Sequence, residues 1–290
     1  MDNSYLSIKE IQKIVFKDLQ EVNNIIIDNI GNEVPLIKDL SKHILASGGK
    51  RIRPMVTLLS SRLCNYSGNN QLYLAACVEF IHTATLLHDD VIDESKMRRG
   101  VTTANDIFGN KTSVLVGDFL FSRAFELMVQ YGSKQILEVL SKASSTIAQG
   151  EVLQLTTIND SSTSKELYMK IITNKTASLF SAASKISAIL SEEKDIIQKS
   201  LKIYGQKLGI AFQLVDDALD YAGTSALDKS IGDDFREGKM TLPVIISLEK
   251  SNPEEKSFWK KTIEDLEQSS GDLNKAIELI NKYHGISSTL

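Results

Sequence analysis

Apolar side chains recur at intervals of three and four residues over most of this chain. Between residues 8 and 30 they fall at Ile8, Ile11, Val15, Leu19, Val22, Ile26 and Ile30. The same spacing continues over 72–93, 113–131, 134–155, 166–190 and 196–221. This spacing places apolar residues on one face of a helix. The pattern therefore predicts an all-α fold, a single large bundle of about ten helices.

Short polar or glycine-containing segments interrupt the helical pattern at 47–49, 66–70, 159–163 and 222–225. Thr163 or Ser164 is predicted to cap a helix that begins near Glu166. No alternating run flanked by Asn-Gly or Asp-Gly predicts a β-hairpin. No stretch is long or biased enough to be a linker, so we predict one domain over residues 1–290.

Composition and charge exclude several classes of protein. The 290 residues carry a net charge of −4, which gives no electrostatic support for a nucleic-acid partner. The two cysteines, Cys64 and Cys77, form neither a disulfide framework nor a zinc site, and we expect both to be reduced and packed. Neither a signal peptide nor a transmembrane run of about 18 apolar residues is visible, so we expect a cytoplasmic protein.

Two aspartate clusters with the same spacing are the most informative polar feature of the chain. The first is Asp89, Asp90 and Asp93, and the second is Asp216, Asp217 and Asp220. On a helix, the first and last acids of each cluster lie on one face, one turn apart. Carboxylates this close repel each other unless a cation lies between them. Mg²⁺ prefers oxygen ligands and completes its shell with water and phosphate. The clusters therefore predict a site where Mg²⁺ binds a diphosphate.

Basic residues suited to phosphate accompany both clusters. Arg98 and Arg99 follow the first cluster, and the segment GGKRIRP at 48–54 offers Lys50 and Arg53 for a second, metal-free anion. His82 is a candidate phosphate donor, whereas His88 is more typical of a packed residue. Lys175 with Thr176, Lys229 and Lys239 are further candidates. Taken singly, each of these lysines is more typical of a solvated surface.

Several blocks together resemble a known family. They are GGKRIRP (48–54), FIHTATLLHDDVID (80–93), RRG (98–100), VLVGDFLFSRAF (114–125), GEVLQL (150–155), KTASLF (175–180), FQLVDDALDY (212–221) and GDDFREGKMTLP (232–243). The chain resembles the long-chain trans-polyprenyl diphosphate synthases, and among them the octaprenyl branch. The resemblance implies one helical domain of the isoprenoid synthase type around a deep central cavity, and a homodimer.

The resemblance also implies roles for individual residues. Asp89, Asp93 and Asp216 would bind two or three Mg²⁺ ions that hold an allylic diphosphate, with Asp90, Asp217 and Asp220 supporting them. The same diphosphate would be contacted by Arg98, Lys175, Thr176, Gln213 and Lys229, with Lys239 nearby. Isopentenyl diphosphate would be bound without metal by Lys50, Arg53, His82 and Arg99.

The implied reaction extends an allylic diphosphate, farnesyl diphosphate being the expected primer, with successive isopentenyl units. Product length would be set by a tunnel below Asp89. Ala84 and Thr85 lie where short-chain relatives carry an aromatic plug, so an open shaft and a long product are expected. Candidates for the deeper walls are Met128, Leu140 and Phe125. The expected product is all-trans-octaprenyl diphosphate, a precursor of quinone side chains, whose release could involve transient membrane contact.

Two other functions are weighed against this one. A non-catalytic subunit of a heteromeric prenyl synthase would typically lack part of the aspartate clusters or the basic loop, and both are retained. A terpene cyclase would generally lack the GKRIRP loop, because it binds no second diphosphate. Relatives usually continue about thirty residues further, so the C-terminal end is expected to be short for the family, with reduced stability or activity as a consequence.

Overall fold

The computed structural model describes residues 6–31, 33–46, 49–98, 100–222 and 231–290. Its elements are α1 (Ile8–Ile14), α2 (Phe16–Ile30), α3 (Pro35–Ala46), α4 (Ile52–Leu63), α5 (Asn70–Ile92), β1 (Met97–Arg98), β2 (Val101–Thr102), α6 (Ala104–Phe108), α7 (Asn110–Tyr131), α8 (Lys134–Leu155), α9 (Lys165–Ile172), α10 (Ser178–Leu190), α11 (Asp195–Tyr221), α12 (Asp233–Arg236), α13 (Leu242–Lys250), α14 (Pro253–Trp259), α15 (Asp272–Lys282) and α16 (Gly285–Thr289). A π-helical turn at Thr173–Ala177 joins α9 to α10, and a second at Lys260–Glu264 directly follows α14.

The chain divides into two compact units. The first comprises residues 1–144 and 179–205, and the second comprises residues 145–178 and 206–290. The predicted single domain over 1–290 stays a prediction. The all-α class is confirmed. The deep central cavity, like the single domain, stays a prediction.

Helix α5 is the centre of the first unit and packs against α2, α4 and α7. Every residue from Leu74 to Ile81 is buried, which fits a helix that is apolar on all sides and surrounded by others. Glu79 is the one acid in that buried stretch. This buried stretch anchors α5 among its neighbours. The first aspartate cluster lies at the C-terminal end of the same helix.

The second unit has its own apolar core. Tyr168, Tyr221, Phe235 and Trp259 belong to this core, together with most of the apolar face of α13. Helix α9 begins at the Ser164 cap, whose Oγ accepts a hydrogen bond from the backbone N–H of Leu167, as the sequence predicted. Helix α14 begins at a capping box between Asn252 and Glu255. The core supports α11, and the second aspartate cluster lies near the C-terminal end of that helix.

The structure corrects two details of the predicted fold. The described residues form sixteen α-helices rather than about ten. Part of the difference arises because α1 and α2 separate at Val15 and a π-helical turn interrupts the segment predicted at 166–190. A short antiparallel hairpin also pairs β1 with β2, with Gly100 at a positive φ of 73° between them. Two-residue strands are too short to show an alternating pattern, so the hairpin was not predicted.

Cys64 and Cys77 are buried and unbridged, which confirms the expectation of packed thiols. Burial raises the pKa of the Cys77 thiol far above its ordinary value. No helix in the described ranges is long and apolar enough to cross a membrane.

Candidate functional site

The first aspartate cluster lies at the C-terminal end of α5. Asp89 and Asp93 are half-buried, and Asp93 is the C-cap of the helix, its backbone N–H donating to the Asp89 carbonyl at 2.8 Å. A helix C-terminus carries partial negative charge, so carboxylates there are disfavoured unless a cation compensates them. Three acids in this place therefore require positive charge nearby.

Asp90 is only 5% exposed and contacts Arg98. The Arg98 Nε and Nη2 atoms lie 2.8 and 2.7 Å from the same carboxylate oxygen, Asp90 Oδ1. Burial raises the pKa of Asp90, and the Arg98 guanidinium counteracts that rise. Burial opposes the charge of Arg98, but the three nearby carboxylates outweigh it and raise the pKa of Arg98. The hairpin thus brings Arg98 back to the cluster as a partner of Asp90, and its expected contact with a diphosphate stays a prediction.

The basic segment at the start of α4 contacts α5 about two turns before the cluster. Arg53 Nη1 lies 3.0 Å from His82 Nε2, and the Arg53 guanidinium lies 4.6 Å from the centre of the Phe180 ring. Lys50 is exposed. The structure therefore brings together Arg53 and His82, two of the predicted isopentenyl diphosphate ligands, in the first unit.

The second aspartate cluster has a different set of donors. Asp217 is 4% exposed and accepts hydrogen bonds from the Tyr168 hydroxyl at 2.5 Å and from Gln213 Nε2 at 2.7 Å. Asp220 accepts the backbone N–H groups of Asp233 and Asp234 at 3.3 and 3.2 Å, at the start of α12. Asp216 is half-buried. Two acids of this cluster are thus engaged by hydrogen-bond donors of their own unit.

A π-helical turn carries the next two predicted residues. The Thr176 hydroxyl donates to Gln213 Oε1 at 2.7 Å, which extends the network that reaches Asp217. Lys175 Nζ lies 2.6 Å from Glu151 Oε2 and 2.8 Å from Gln154 Oε1. Single π-helical turns inside helices are frequent at functional sites. The structure therefore places Thr176 and Gln213 in one hydrogen-bonded group with Asp217, while Lys175 contacts Glu151 and Gln154.

The remaining predicted residues are distributed differently. Lys239 forms an ion pair with Glu237 at 2.5 Å. Arg99 and Lys229 lie outside the described residues.

The predicted chain-length residues differ in burial. Ala84 is fully buried, whereas Thr85 is half-buried. Met128 and Leu140 are fully buried. Phe125 is 42% exposed on α7, because it lies on the outward face of that helix. The chain-length roles of all five residues stay predictions.

The carboxylate donors fit a divalent cation. Asp89 and Asp93 in the first unit, and Asp216 in the second, each carry carboxylate oxygens of the kind that Mg²⁺ prefers as ligands. Within the described ranges, no three His, Cys, Asp or Glu side chains converge into a group that could enclose an ion. Mg²⁺ keeps several waters and takes phosphate oxygens as ligands. The residues therefore fit a cation that binds together with a diphosphate.

Sequence reasoning missed several residues that contact this site. Tyr168, Glu151 and Gln154 hydrogen-bond to predicted residues, and Arg51 pairs with Glu79 beside the basic segment. Two signals were available in the sequence. Glu79 is an acid inside a long apolar run, and Glu151 and Gln154 are the polar positions of the GEVLQL block.

Comparison with known proteins identifies similar chains. Residues 34–280 match the family described as polyprenyl synthetase. The chain is 48% identical over 260 residues to octaprenyl diphosphate synthase from Escherichia coli, covering 89% of this chain and 80% of that protein. The crystal structure of a decaprenyl diphosphate synthase from Rhodobacter capsulatus has a TM-score of 0.93 at 46% identity, covering 98% of this chain and 88% of that one. The crystal structure of a polyprenyl synthase from Caulobacter crescentus, complexed with calcium and isoprenyl diphosphate, has a TM-score of 0.95 at 46% identity. The match covers 98% of this chain and 87% of that one.

Proposed function

The chain belongs to the polyprenyl synthetase family, and we propose that it extends farnesyl diphosphate to all-trans-octaprenyl diphosphate. It is a trans-polyprenyl diphosphate synthase, a prenyltransferase that makes long-chain products. The proposed product length is supported by the 48% identity to the E. coli octaprenyl diphosphate synthase over 89% of the chain. Both aspartate clusters and the basic loop are present, which disfavours a non-catalytic subunit and a terpene cyclase.

The two aspartate clusters are assigned to the allylic diphosphate. Asp89, Asp93 and Asp216 would hold two or three Mg²⁺ ions, which when bound would stabilise the negative charge that develops on the leaving diphosphate. The hydrogen bonds that Asp217 and Asp220 accept from donors of their own unit support their assignment as supporting acids. Arg98, Lys175, Thr176, Gln213, Lys229 and Lys239 are assigned to the same diphosphate.

Isopentenyl diphosphate is assigned to Lys50, Arg53, His82 and Arg99. The contact between Arg53 and His82 supports this assignment, because it directs two nitrogen-bearing side chains to one place. Arginine offers a planar set of donors that matches phosphate oxygens, so this pocket needs no metal.

The reaction follows from these two assignments. The C1–oxygen bond of the allylic substrate breaks, and the cationic side chains hold the departing diphosphate. The isopentenyl double bond attacks C1, so a new carbon–carbon bond forms and a tertiary cation results. A proton then leaves that cation, and the released diphosphate is the base. The residues that position both substrates turn a bimolecular encounter into an oriented one, and apolar walls exclude water from the cation.

A direct assay tests the activity and the product length together. Purified protein is incubated with farnesyl diphosphate, labelled isopentenyl diphosphate and Mg²⁺, and the products are sized. A dominant product of eight isoprene units is expected, and chelation of the metal should abolish it. A dominant product of nine or ten units would refute the octaprenyl proposal. No elongation by a folded protein would instead favour a subunit that requires a partner.

The proposal includes a homodimer formed through α7. On this helix, Val114, Leu115, Phe125 and Val129 form one outward stripe, and Leu115 and Val129 are 67% and 71% exposed. An exposed apolar stripe on a helix is typical of an interaction surface.

Light scattering coupled to size-exclusion chromatography should give a dimer mass for the wild type. The change Val129→Glu should shift it to a monomer, because it would bury a charge at the interface. Ile196→Glu, at an equally exposed position on α11, is the control and should remain dimeric. A monomeric wild type would contradict the proposal.

A further inference from the structure

Glu79 is a buried acid that the assignments above leave without a role. It is 5% exposed in the middle of α5, and its Oε1 atom lies 2.5 Å from Arg51 Nη1. A buried carboxylate is costly unless a cation and hydrogen bonds compensate it. A neighbouring cavity of about 10 Å³, lined by Ser41, Glu79 and Thr83 among others, is no larger than one water molecule. Arg51 is therefore the cation that compensates the charge of Glu79.

Arg51 adopts a backbone conformation that requires support. Its φ and ψ angles are 49° and 37°, in the left-handed region, at the residue immediately before α4. A non-glycine residue in this region costs on the order of 1–2 kcal/mol, so the surrounding contacts must hold it there. The ion pair with Glu79 supplies such a contact. On the other side, Gln12 Nε2 donates to the backbone carbonyl of Lys50 at 3.0 Å.

Glu79 and His82 lie three residues apart, so they project from the same face of α5. The first contacts Arg51, and the second contacts Arg53. The basic segment is thus attached to α5 at two successive points, while Lys50 is exposed between Gln12 and Arg51. The directions in which Lys50 and Arg53 project depend on the backbone turn at Arg51.

We propose that the Arg51–Glu79 ion pair is a positioning element of the isopentenyl diphosphate pocket, and that it holds the 49–53 segment in the geometry that lets Lys50 and Arg53 bind the diphosphate together. This inference rests on the proposed function. Arg51 contributes no charge to the ligand, because Glu79 compensates it. Lys50 and Arg53 provide the charge, and the ion pair sets where that charge lies.

A purely electrostatic role for Glu79 predicts the opposite result on mutation. Removing a negative charge close to an anion site should tighten binding of the anion. Removing a positioning contact should weaken it, because the two ligand cations would no longer converge. The sign of the change therefore separates the two roles.

The test is calorimetric titration of isopentenyl diphosphate, without Mg²⁺ and without an allylic substrate, into wild type and Glu79→Gln. The dissociation constant is expected to rise about tenfold in the variant, which corresponds to about 1.4 kcal/mol. In the elongation assay, KM for isopentenyl diphosphate should rise similarly. KM for farnesyl diphosphate and kcat at saturating isopentenyl diphosphate should stay near the wild-type values.

A second variant guards against loss of folding. The double change Arg51→Met with Glu79→Met removes both charges, and replacing a buried ion pair with apolar side chains is often neutral for stability. This variant should fold and still bind isopentenyl diphosphate about tenfold more weakly. Asp18→Asn, which breaks the Arg62–Asp18 pair between α2 and α4, is the matched control and should bind as the wild type does.

The outcomes are distinct. A wild type that neither binds isopentenyl diphosphate nor elongates farnesyl diphosphate would refute the proposed function. A wild type that binds, together with folded variants whose dissociation constants are unchanged or lower, would overturn the positioning role alone. A lower melting temperature with unchanged affinity would assign the ion pair to stability and also overturn it.

Discussion

Asp90 and Asp217 are the middle acids of the two aspartate clusters, and each is buried near the C-terminal end of a long helix. Asp90 contacts a guanidinium that lies eight residues further along the chain. Asp217 contacts a tyrosine hydroxyl 49 residues away and a glutamine amide one turn before it. The same short motif is therefore held by an ion pair in one unit and by a hydrogen-bonded network in the other. The spacing of the acids predicts what they bind, but it does not predict what supports them.

The third acids differ as well. Asp93 is a half-buried helix cap, whereas Asp220 is buried and accepts the first N–H groups of α12. An anion at a helix N-terminus is favourable, and an anion at a helix C-terminus is not. Asp220 thus gains from its position, whereas the charge of Asp93 is disfavoured by the helix end and is favoured by nearby positive charge such as that of Arg98. This contrast supports the assignment of Asp93, but not of Asp220, as a metal ligand.

The largest effect is expected from the metal ligands themselves. Asp89→Asn and Asp216→Asn should each lower kcat for elongation by about 10²–10³-fold, because each removes charge that stabilises the leaving diphosphate. The melting temperature should stay the same or rise, since each substitution removes a negative charge near a helix C-terminus, where such a charge is unfavourable. Steady-state assays and thermal melts check both expectations.

The control is Asp195→Asn, which removes an exposed acid from the first turn of α11, the helix that also carries Asp216. It should leave kcat unchanged and should slightly lower stability. Retention of near-wild-type activity in Asp216→Asn alone would break the functional equivalence of the two clusters.

The next largest effect is on stability, and it tests whether buried Asp90 depends on an ion pair, unlike Asp217. Arg98→Met should lower the free energy of unfolding by about 3 kcal/mol, because Asp90 would remain buried without its cation. Arg236→Met, which breaks the exposed Arg236–Asp233 pair at 2.8 Å, should cost less than about 1 kcal/mol. Urea denaturation measures both. Equal losses in the two variants would show that Asp90 does not depend on Arg98.

The pH dependence of that loss gives a further check. Burial already raises the pKa of Asp90, and loss of Arg98 should raise it further. A carboxyl group with a raised pKa in the folded state destabilises the fold above that pKa, and the penalty is relieved as the pH falls towards the ordinary value. The difference between Arg98→Met and wild type should therefore shrink as the pH is lowered from 8 towards 4. A difference that stays constant would exclude Asp90 as its source.

The features that the sequence predicted depend on residues close together in the chain, whereas several of those that it missed depend on contacts between distant residues. Helices longer than twenty residues, such as α5, α7 and α8, were predicted to within three residues at each end, because burial repeats over many turns. Sequence analysis assigned Arg98 to a diphosphate beside the first cluster, but it did not predict the contact of Arg98 with Asp90, eight residues away. Tyr168 was missed because its partner is 49 residues away and nothing in the local pattern marks it.

The local breaks were missed for another reason. The π-helical turn at Thr173–Ala177 keeps the same apolar spacing to within one residue, so the pattern predicts a continuous helix. Close packing accompanies the turn, because a Cβ atom added at Gly150 would lie 2.6 Å from the Lys175 backbone nitrogen. Tertiary contact of this kind is not visible in the sequence of either segment.

The change Tyr168→Phe tests the hydrogen bonds that hold Asp217, the middle acid of the second cluster. Loss of the hydroxyl leaves one oxygen of the buried Asp217 without that donor, so the free energy of unfolding should fall by about 1–2 kcal/mol. KM for farnesyl diphosphate should rise several-fold, while calorimetric binding of isopentenyl diphosphate stays unchanged. Tyr204→Phe, at a tyrosine 56% exposed on α11, is the control and should change neither. If Tyr168→Phe cost as much stability as Arg98→Met, the distinction between the two middle acids would fail.

The smallest expected effect concerns the third acids. Asp220→Asn keeps one side-chain oxygen as an acceptor for the N–H groups at the start of α12, so it should cost only about 0.5–1 kcal/mol of unfolding free energy. Asp93→Asn should cost none, because Asp93 lies at a helix C-terminus, where a negative charge is unfavourable. Asp93→Asn should instead raise the Mg²⁺ concentration needed for half-maximal elongation more than Asp220→Asn does. Urea denaturation and a Mg²⁺ titration of the assay measure the two quantities. Were the order reversed in both measurements, Asp220 would be the metal ligand and Asp93 the structural acid, and the two clusters would be more alike in function than their contacts indicate.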